Sequence, residues 1–323
     1  MKSHRVRELT FPFGQTFKSL LKFTSDIFGL EYEQVTDSHY KIYSNSQLRG
    51  QFVIDPFRAP KKYPGSYVIR NDLFSGLILN FNPPHHGQDS QLSSTELTNL
   101  YENFGLLLQN VLTPPQQPIV QDFKIPGHFL ALWLGNKQYA ENVLGLEGTK
   151  LENYLKSREH FSATDLCHEL YLSDLDLELD LSDDFWLDLV KKLWPTYSVM
   201  PLDKHDQSLC SSNLIHYGST YYSDVYSKML AADCYRAFVE NKEPKNQADE
   251  GNRYIFHIIF PIRRAHKNWL NPGFCFSRFK KAFFDAPVDT EPSEIFRQFR
   301  GRDPSPDAFL WSLGLMHLEK VDK

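Results

Sequence analysis

Apolar residues recur every three or four positions between residues 93 and 111, which predicts an amphipathic helix. Its apolar positions are Leu97, Leu100, Tyr101, Phe104, Leu107, Leu108 and Val111. Ser93 or Ser94 is a suitable N-cap, and Ser93 with Glu96, three residues later, makes a capping box. A second amphipathic helix is predicted from Thr16 to Leu30, and Gly29 is suited to end it. On pattern alone, both are ordinary core helices.

The rest of the pattern divides the chain into a short β-rich part and a longer helical part. Segments rich in Val, Ile and Tyr predict a small mixed sheet from residues 40–43, 51–54, 66–70 and 76–80. Beyond residue 129, helices are predicted at residues 139–155, 162–175, 183–193, 218–240, 277–284, 293–299 and 304–313. The predicted fold class is therefore mainly α with a small β-sheet.

The composition is that of a globular protein and argues against several classes of function. The 323 residues are 41% hydrophobic and 23% charged, which is enough to bury a sizeable core. The formal net charge is −5 with both signs mixed, so no nucleic-acid partner is expected. The cysteines are widely spaced without a CxxC pair, as in an intracellular protein with reduced thiols. No apolar run approaches the roughly 20 residues of a membrane span.

Residues 100–108, Leu-Tyr-Glu-Asn-Phe-Gly-Leu-Leu-Leu, resemble the active-site helix of the thimet oligopeptidase family of zinc peptidases (family M3), which includes neurolysin and mitochondrial intermediate peptidase. In that family the helix carries two zinc-binding histidines one turn apart, and a glutamate between them is the general base. At the matching positions this chain has Glu102 and Leu106 for the histidines and Asn103 for the glutamate. The apolar residues of the helix are kept, and the residues at its zinc-binding and general-base positions are replaced.

The resemblance extends to two further catalytic elements. The family's third zinc ligand is a glutamate, and the matching residue here is Lys124, whose protonated amine cannot coordinate zinc. Residues 213–224 resemble the family's tyrosine-rich substrate loop, which supplies hydroxyl donors to an oxyanion. In this loop Asn213 replaces a histidine and Asp224 replaces a tyrosine. The tyrosines that remain, as a remnant of the loop, are Tyr217, Tyr221 and Tyr222.

The resemblance covers the C-terminal, catalytic half of the family's proteins. It implies a single zincin-like domain over residues 1–323, similar to the catalytic half of neurolysin and thimet oligopeptidase. The best matches are residues 17–240 and 274–315. Residues 243–273 are atypical, and either an error in the gene prediction or a divergent surface insert would explain them.

The replacements imply a catalytically inactive metallopeptidase homologue that binds peptides or a protein partner through a remnant cleft. No catalytic or metal-binding residue is expected to remain intact, and no cofactor is expected, although the family uses one zinc ion. Whether the protein is an enzyme stays open: the alternatives are an active zinc metalloendopeptidase with rearranged ligands and a truncated fragment without settled function. Residues 217–223 and 68–70 are similar to mitochondrial intermediate peptidase, whereas residues 301–310 are more similar to thimet oligopeptidase. The first two stretches favour a mitochondrial over a cytosolic location.

Three other patterns compete with this interpretation. His168 and Glu169 begin a His-Glu-x-x-His motif that lacks its second histidine, which favours an ordinary helix. The acidic stretch at residues 175–184 lacks the glycine of a calcium loop, so it predicts a solvated face of a helix or strand. A metal site built from histidines brought close by folding is the third alternative: His85 and His86 with His128 or His216.

Overall fold

The computed structural model describes residues 9–71, 73–85, 87–113, 124–160, 162–202, 218–239, 272–285, 290 and 292–316. The strands are β1 Phe11–Pro12, β2 Glu31–Gln34, β3 His39–Ser44, β4 Gln47–Phe57, β5 Tyr67–Arg70, β6 Ser75–Phe81 and β7 Gln91–Leu92. The helices are α1 Phe13–Phe28, α2 Ser94–Leu112, α3 Ile125–Leu132, α4 Lys137–Asn142, α5 Gly148–Glu159, α6 Ser162–Leu181, α7 Trp186–Tyr197, α8 Tyr222–Val239, α9 Pro272–Phe283, α10 Pro292–Arg300 and α11 Asp307–Ser312. The prediction of a mainly α fold with a small β-sheet is confirmed.

The sheet is mixed and has five strands in the order β2-β3-β4-β6-β5. Strands β4 and β6 are parallel, and the other neighbours are antiparallel. Buried and less buried residues alternate along β3, as expected for a strand with one face on the core. The four predicted strands are present, and β2 is an additional strand that its polar sequence, Glu-Tyr-Glu-Gln, did not reveal. Strand β5 lies at the edge of the sheet.

Helix α2 lies at the centre of the core, as its pattern predicted. Its N-terminus is the predicted capping box: the Ser93 hydroxyl accepts a hydrogen bond from the Glu96 amide, and the Glu96 carboxylate accepts one from the Ser93 amide. On its apolar face, Phe104 makes edge-to-face contacts with Phe17 of α1 and Phe52 of β4. Each such fully buried ring contributes about 1.5–3 kcal/mol of hydrophobic stabilisation, so burial holds α2 between α1 and the sheet.

Most of the predicted helices are present, but α3 at Ile125–Leu132 was not predicted and the bounds of several others differ. The single helix predicted over residues 139–155 is wrong, because α4 ends at Asn142 and α5 begins only at Gly148. Gly145 and Gly148 have φ angles of 69° and 55°, a left-handed conformation that favours glycine and interrupts a helix. The acidic stretch at residues 175–184 is mostly helical, since α6 continues to Leu181. No described helix is long and apolar enough to cross a membrane.

Candidate functional site

A cavity of about 620 Å³ lies between the edge strand β5 and helices α2, α3 and α8. This volume is within the range of about 300–1,000 Å³ that is usual for ligand pockets. Unlike most such pockets, this one is lined largely by polar side chains. Its charged members are Arg70, Glu102, Lys124, His128, Asp224 and Lys228.

Two glycines bring α2 and α3 close together beside the cavity. A Cβ atom added at Gly105 of α2 would overlap the carbonyl oxygen of Pro126 in α3. A Cβ atom added at Gly127 of α3 would lie 2.5 Å from the carbonyl oxygen of Glu102. Since real Cβ atoms do not approach backbone this closely, the crossing requires glycine at both positions. The crossing places the side chains of Glu102 and His128 within reach of each other.

His128 lies between two carboxylates that belong to different helices. Its Nδ1 atom is 3.1 Å from Oε1 of Glu102 on α2. Its Nε2 atom is 3.4 Å from Oδ1 of Asp224 on α8, an ion-pair distance without a well-formed hydrogen bond. The imidazole side chain is only 7% exposed. His128 therefore links α2, α3 and α8 at the wall of the cavity.

Two lysines complete this ionic network, because both bind Asp224. Nζ of Lys124 is 2.9 Å from Oδ1 of Asp224. Nζ of Lys228, one turn further along α8, is 3.1 Å from Oδ2 of Asp224. The same amine also binds Oε1 of Glu169 on α6 at 2.5 Å. The network thus has three carboxylates, two amines and one imidazole, and each member is paired with at least one other.

The pairing keeps these groups ionised despite their burial. Burial opposes ionisation of Glu102, but the hydrogen bond and charge of His128 outweigh it and lower the pKa of the carboxyl. Burial also opposes ionisation of Asp224. Its interactions with His128, Lys228 and Lys124 outweigh burial and hold the pKa of the carboxyl far below its usual range. Burial alone would lower the pKa of His128, and the carboxylates of Asp224 and Glu102 raise it above its usual value. Both carboxylates are therefore poor proton acceptors.

Comparison with known proteins assigns the chain to a family. The sequence model described as "Peptidase family M3" matches residues 4–259, well over half of the chain. The chain belongs to peptidase family M3. This membership confirms the family that the resemblance of residues 100–108 predicted.

Individual relatives agree with this family. Oligopeptidase A of Haemophilus influenzae (strain ATCC 51907 / DSM 11121 / KW20 / Rd) is 24% identical over 84% of this chain and 41% of its own length. The organellar oligopeptidase A, chloroplastic/mitochondrial, of Arabidopsis thaliana is 21% identical over 95% of this chain and 42% of its own length. A probable thimet oligopeptidase of the same plant is 22% identical over 94% of this chain and 44% of its own length. The chain therefore spans less than half the length of these curated relatives.

The structure brings together most of the positions at which the resemblance predicted a replaced catalytic group. Among the residues that line the 620 Å³ cavity are Glu102, Asn103, Leu106, Lys124 and Asp224. Asn213 and Tyr217 lie outside the described residues. Tyr221 and Tyr222 are described but do not line this cavity. The Tyr221 amide donates to the Asp176 carboxylate, and Tyr222 is 46% exposed.

Three members of the ionic network escaped the sequence analysis as site residues. The sequence suggests His128 only as a member of an alternative metal site, whereas the structure places it in α3 between two carboxylates. Glu169 was considered only as part of an incomplete His-Glu-x-x-His motif, and its carboxylate binds Lys228. Lys228 follows Asp224 by four residues in a predicted helix, and this i,i+4 spacing was a signal for the pair. No sequence pattern joins His128 to Glu102.

The expectation of no cofactor is wrong at the level of the family, since peptidase family M3 is zinc-dependent. The side chains of this cavity do not fit a zinc ion. Glu102 and Asp224 already bind cationic partners, and the nearby lysine ammonium groups would repel a dication. Within the described ranges, no group of three or more His, Cys, Asp or Glu residues is placed to hold a metal ion. This also applies to the described histidines of the alternative site, His85 and His128, whereas His86 and His216 lie outside those ranges.

Proposed function

We propose that this member of peptidase family M3 binds peptides in the 620 Å³ cavity and does not cleave them. The observation that carries the proposal is the pairing of the cavity's carboxylates. Glu102 binds His128, and Asp224 binds His128 and the two lysines, so both negative charges are already neutralised.

Hydrolysis of a peptide bond needs a group that can take a proton from the attacking water. Such a base works best when its pKa lies near the working pH and its lone pair is free. The pKa values of Glu102 and Asp224 are lowered, which makes both weak bases. Asn103, at the position that resembles the family's general base, has a carboxamide, which is not a base at neutral pH. These properties support binding without cleavage.

The shape of the surface around the network supports an extended ligand. A second cavity of about 270 Å³ lies next to the first and shares its lining residues Glu102, His128 and Lys228. The second cavity is less polar, with Leu132, Leu155 and Phe309 among its lining residues. A ligand that followed both cavities would meet polar side chains first and apolar ones further along. An oligopeptide has both kinds of group.

The test measures cleavage and binding of the same peptides. A mixed peptide library is incubated with the full chain and added zinc chloride, and new peptide termini are sought by mass spectrometry. We expect none, while fluorescence anisotropy shows saturable binding. The matched control variant carries Glu102→His, Asn103→Glu and Leu106→His, which restores the family's residue types on α2. Cleavage by the unmodified chain that disappears in its Glu102→Gln variant would contradict the proposal.

We also propose an intracellular location. The relatives include an organellar oligopeptidase A and a probable cytosolic oligopeptidase A, both from Arabidopsis thaliana. The similarity of two short stretches to mitochondrial intermediate peptidase supports the mitochondrion among these compartments. Imaging of the tagged protein together with a mitochondrial marker tests the choice, and a diffuse cytosolic signal would argue against it.

A further inference from the structure

We propose that the 620 Å³ cavity selects uncharged, amide-rich peptide segments, and that the carboxamides of Asn99, Gln109 and Asn110 recognise them. This inference rests on the proposed function, because it names the class of peptide that the same cavity binds. It assigns a binding role to three residues of α2 that are not among the replaced catalytic positions.

The three carboxamides lie along one side of α2. Residues 99, 102, 103, 106, 109 and 110 follow the three- and four-residue spacing of a single helix face, and all six line the cavity. Asn99, Gln109 and Asn110 are half-buried residues, so they remain partly accessible. A peptide along this face would pass the three carboxamides in turn.

These carboxamides are available for a ligand. Within the described part of the chain, no hydrogen bond involves the side-chain carboxamide of Asn99, Gln109 or Asn110. Asn103 differs, because its Nδ2 atom donates to the carbonyl oxygen of Asn99 at 2.8 Å. Each free carboxamide offers two donor hydrogens and one acceptor oxygen. That set matches the peptide group of a main chain and the side chains of Asn and Gln.

Three charged groups of the cavity, in contrast, are already paired with opposite charges. Glu102, Asp224 and Lys228 are each less than a third exposed and bind oppositely charged partners within the network. Arg70 donates to the carbonyl oxygen of Thr113 at 3.0 Å. A charged peptide side chain that paired with Glu102, Asp224 or Lys228 would have to break an existing ion pair and leave the former partner uncompensated, which is costly in a partly buried site. The cavity therefore favours ligands that need no ion pair.

The inference predicts how affinity responds to salt and to substitution. An amide–amide hydrogen bond is unscreened by salt, whereas binding through ion pairs weakens as the ionic strength rises. A neutral hydrogen bond contributes about 0.5–1.5 kcal/mol, so removal of one carboxamide should weaken binding about 2- to 12-fold.

The experiment uses three short peptides of equal length with capped ends. One contains Gln, Asn, Ser and Gly only, and in the others some Gln residues are replaced by Lys or by Glu. Dissociation constants are measured by fluorescence anisotropy at about 50 and about 300 mM NaCl, where screening differs strongly. The full chain is compared with its Asn99→Leu, Gln109→Leu and Asn110→Leu variants. Gln138→Leu is the matched control, because Gln138 is exposed on α4 and lies outside the cavity.

We expect the neutral peptide to bind about tenfold more tightly than either charged one, with little change between the two salt concentrations. Each of the three cavity variants should weaken this binding, and Gln138→Leu should not. A preference for a charged peptide that disappears at high salt would overturn the inference and leave peptide binding intact. Failure of every peptide to bind would overturn the proposed function as well.

A further variant keeps the test decisive if the leucine variants unfold. Gln109→Glu preserves the shape of the side chain and adds one negative charge. The inference predicts that this variant gains affinity for the lysine peptide, and that the gain is lost at high salt. An unchanged preference would show that Gln109 does not face the bound peptide.

Discussion

Helix α8 carries two buried or partly buried aspartates, and their surroundings differ sharply. Asp233 is fully buried and binds Arg300 and Arg302 at 2.9 and 2.6 Å, and it also accepts a hydrogen bond from the amide of Ser305. Asp224, nine residues earlier, is 23% exposed. It is bound by two lysines and a histidine, and it lines the cavity.

The difference shows how the same helix carries a closed ion-pair cluster at one end and a partly exposed network beside a cavity at the other. Arginine has a rigid, planar group that binds a carboxylate at two points, so it suits a closed and permanent ion pair. The pairs of Asp233 with Arg300 and Arg302 hold residues 300–305 against α8. Lysine is a flexible point charge and histidine titrates near neutrality. At Asp224 these residues produce a network that ligands, salt and pH can reach.

The largest effect is expected from Asp233→Asn. The substitution leaves two arginines without a counter-charge beside a fully buried position, and the loss of one partner of a buried pair costs about 3–5 kcal/mol. Urea unfolding followed by circular dichroism measures this loss. Asp285→Asn is the control, because the Arg49–Asp285 pair is partly exposed and should contribute about 1 kcal/mol or less. Equal losses in the two variants would show that the buried Asp233 pairs stabilise the fold no more than a partly exposed pair does.

A smaller loss is expected from Gly105→Ala. The added methyl group would overlap the backbone of Pro126, so α2 and α3 must separate, and overpacking of this kind costs about 1–3 kcal/mol. Since the two helices carry Glu102 and His128, peptide affinity should fall together with stability. Gly135→Ala is the matched control, since its nearest new contact is an Arg158 side-chain atom at 3.8 Å. Equal stability of the two variants would refute the tight crossing.

His128→Gln should lower the free energy of unfolding by about 1–2 kcal/mol, because two partly buried carboxylates lose their shared cation. Thermal and urea unfolding measure the change. His168→Gln is the control, since His168 is exposed on α6 and makes a ring contact with Tyr171. If His128→Gln were as stable as the unmodified chain, the imidazole would not be the link between α2, α3 and α8.

The smallest expected effect is a dependence of stability on pH at the Asp224 end of α8. The pKa of His128 is raised in the folded protein, so His128 contributes its full stabilisation at pH values below 6.5, the ordinary pKa of histidine. This contribution disappears as the pH rises through the folded-state pKa. The pKa values of Glu102 and Asp224 are lowered in the folded protein, so both carboxylates stabilise it at pH values above their ordinary pKa values of 4.5 and 3.8. This stabilisation is lost in stronger acid. Urea unfolding at a series of pH values should therefore show a decline above 6.5 that His128→Gln removes. An identical decline in that variant would assign it to other groups.

Much of the fold was predictable because local patterns specify it. The capping box at Ser93, the apolar face of α2 and the glycine that ends α1 are short-range signals, and the structure contains all three. The break between α4 and α5 was missed, although Gly145 and Gly148 stand in the sequence. Apolar periodicity continues across both glycines, and the left-handed backbone is visible only in the structure.

The candidate site was predictable only in part. The resemblance pointed to Glu102, Lys124 and Asp224, which lie far apart in the chain and line one cavity in the fold. It did not point to His128 as their link. Most of the contacts that define the network join different helices, and only the Asp224–Lys228 pair lies within one.

The sequence by itself determined the family, the fold class and the residue types that stand at the catalytic positions. These properties depend on local order: periodicity, capping residues and the spacing of a motif along one helix. Only the tertiary structure decided that Glu102 and Asp224 share one imidazole and that three carboxamides of α2 have no hydrogen-bond partner among the described residues. The reason is physical, because a side chain's charge and its unused hydrogen bonds depend on which neighbours the fold brings within a few ångströms.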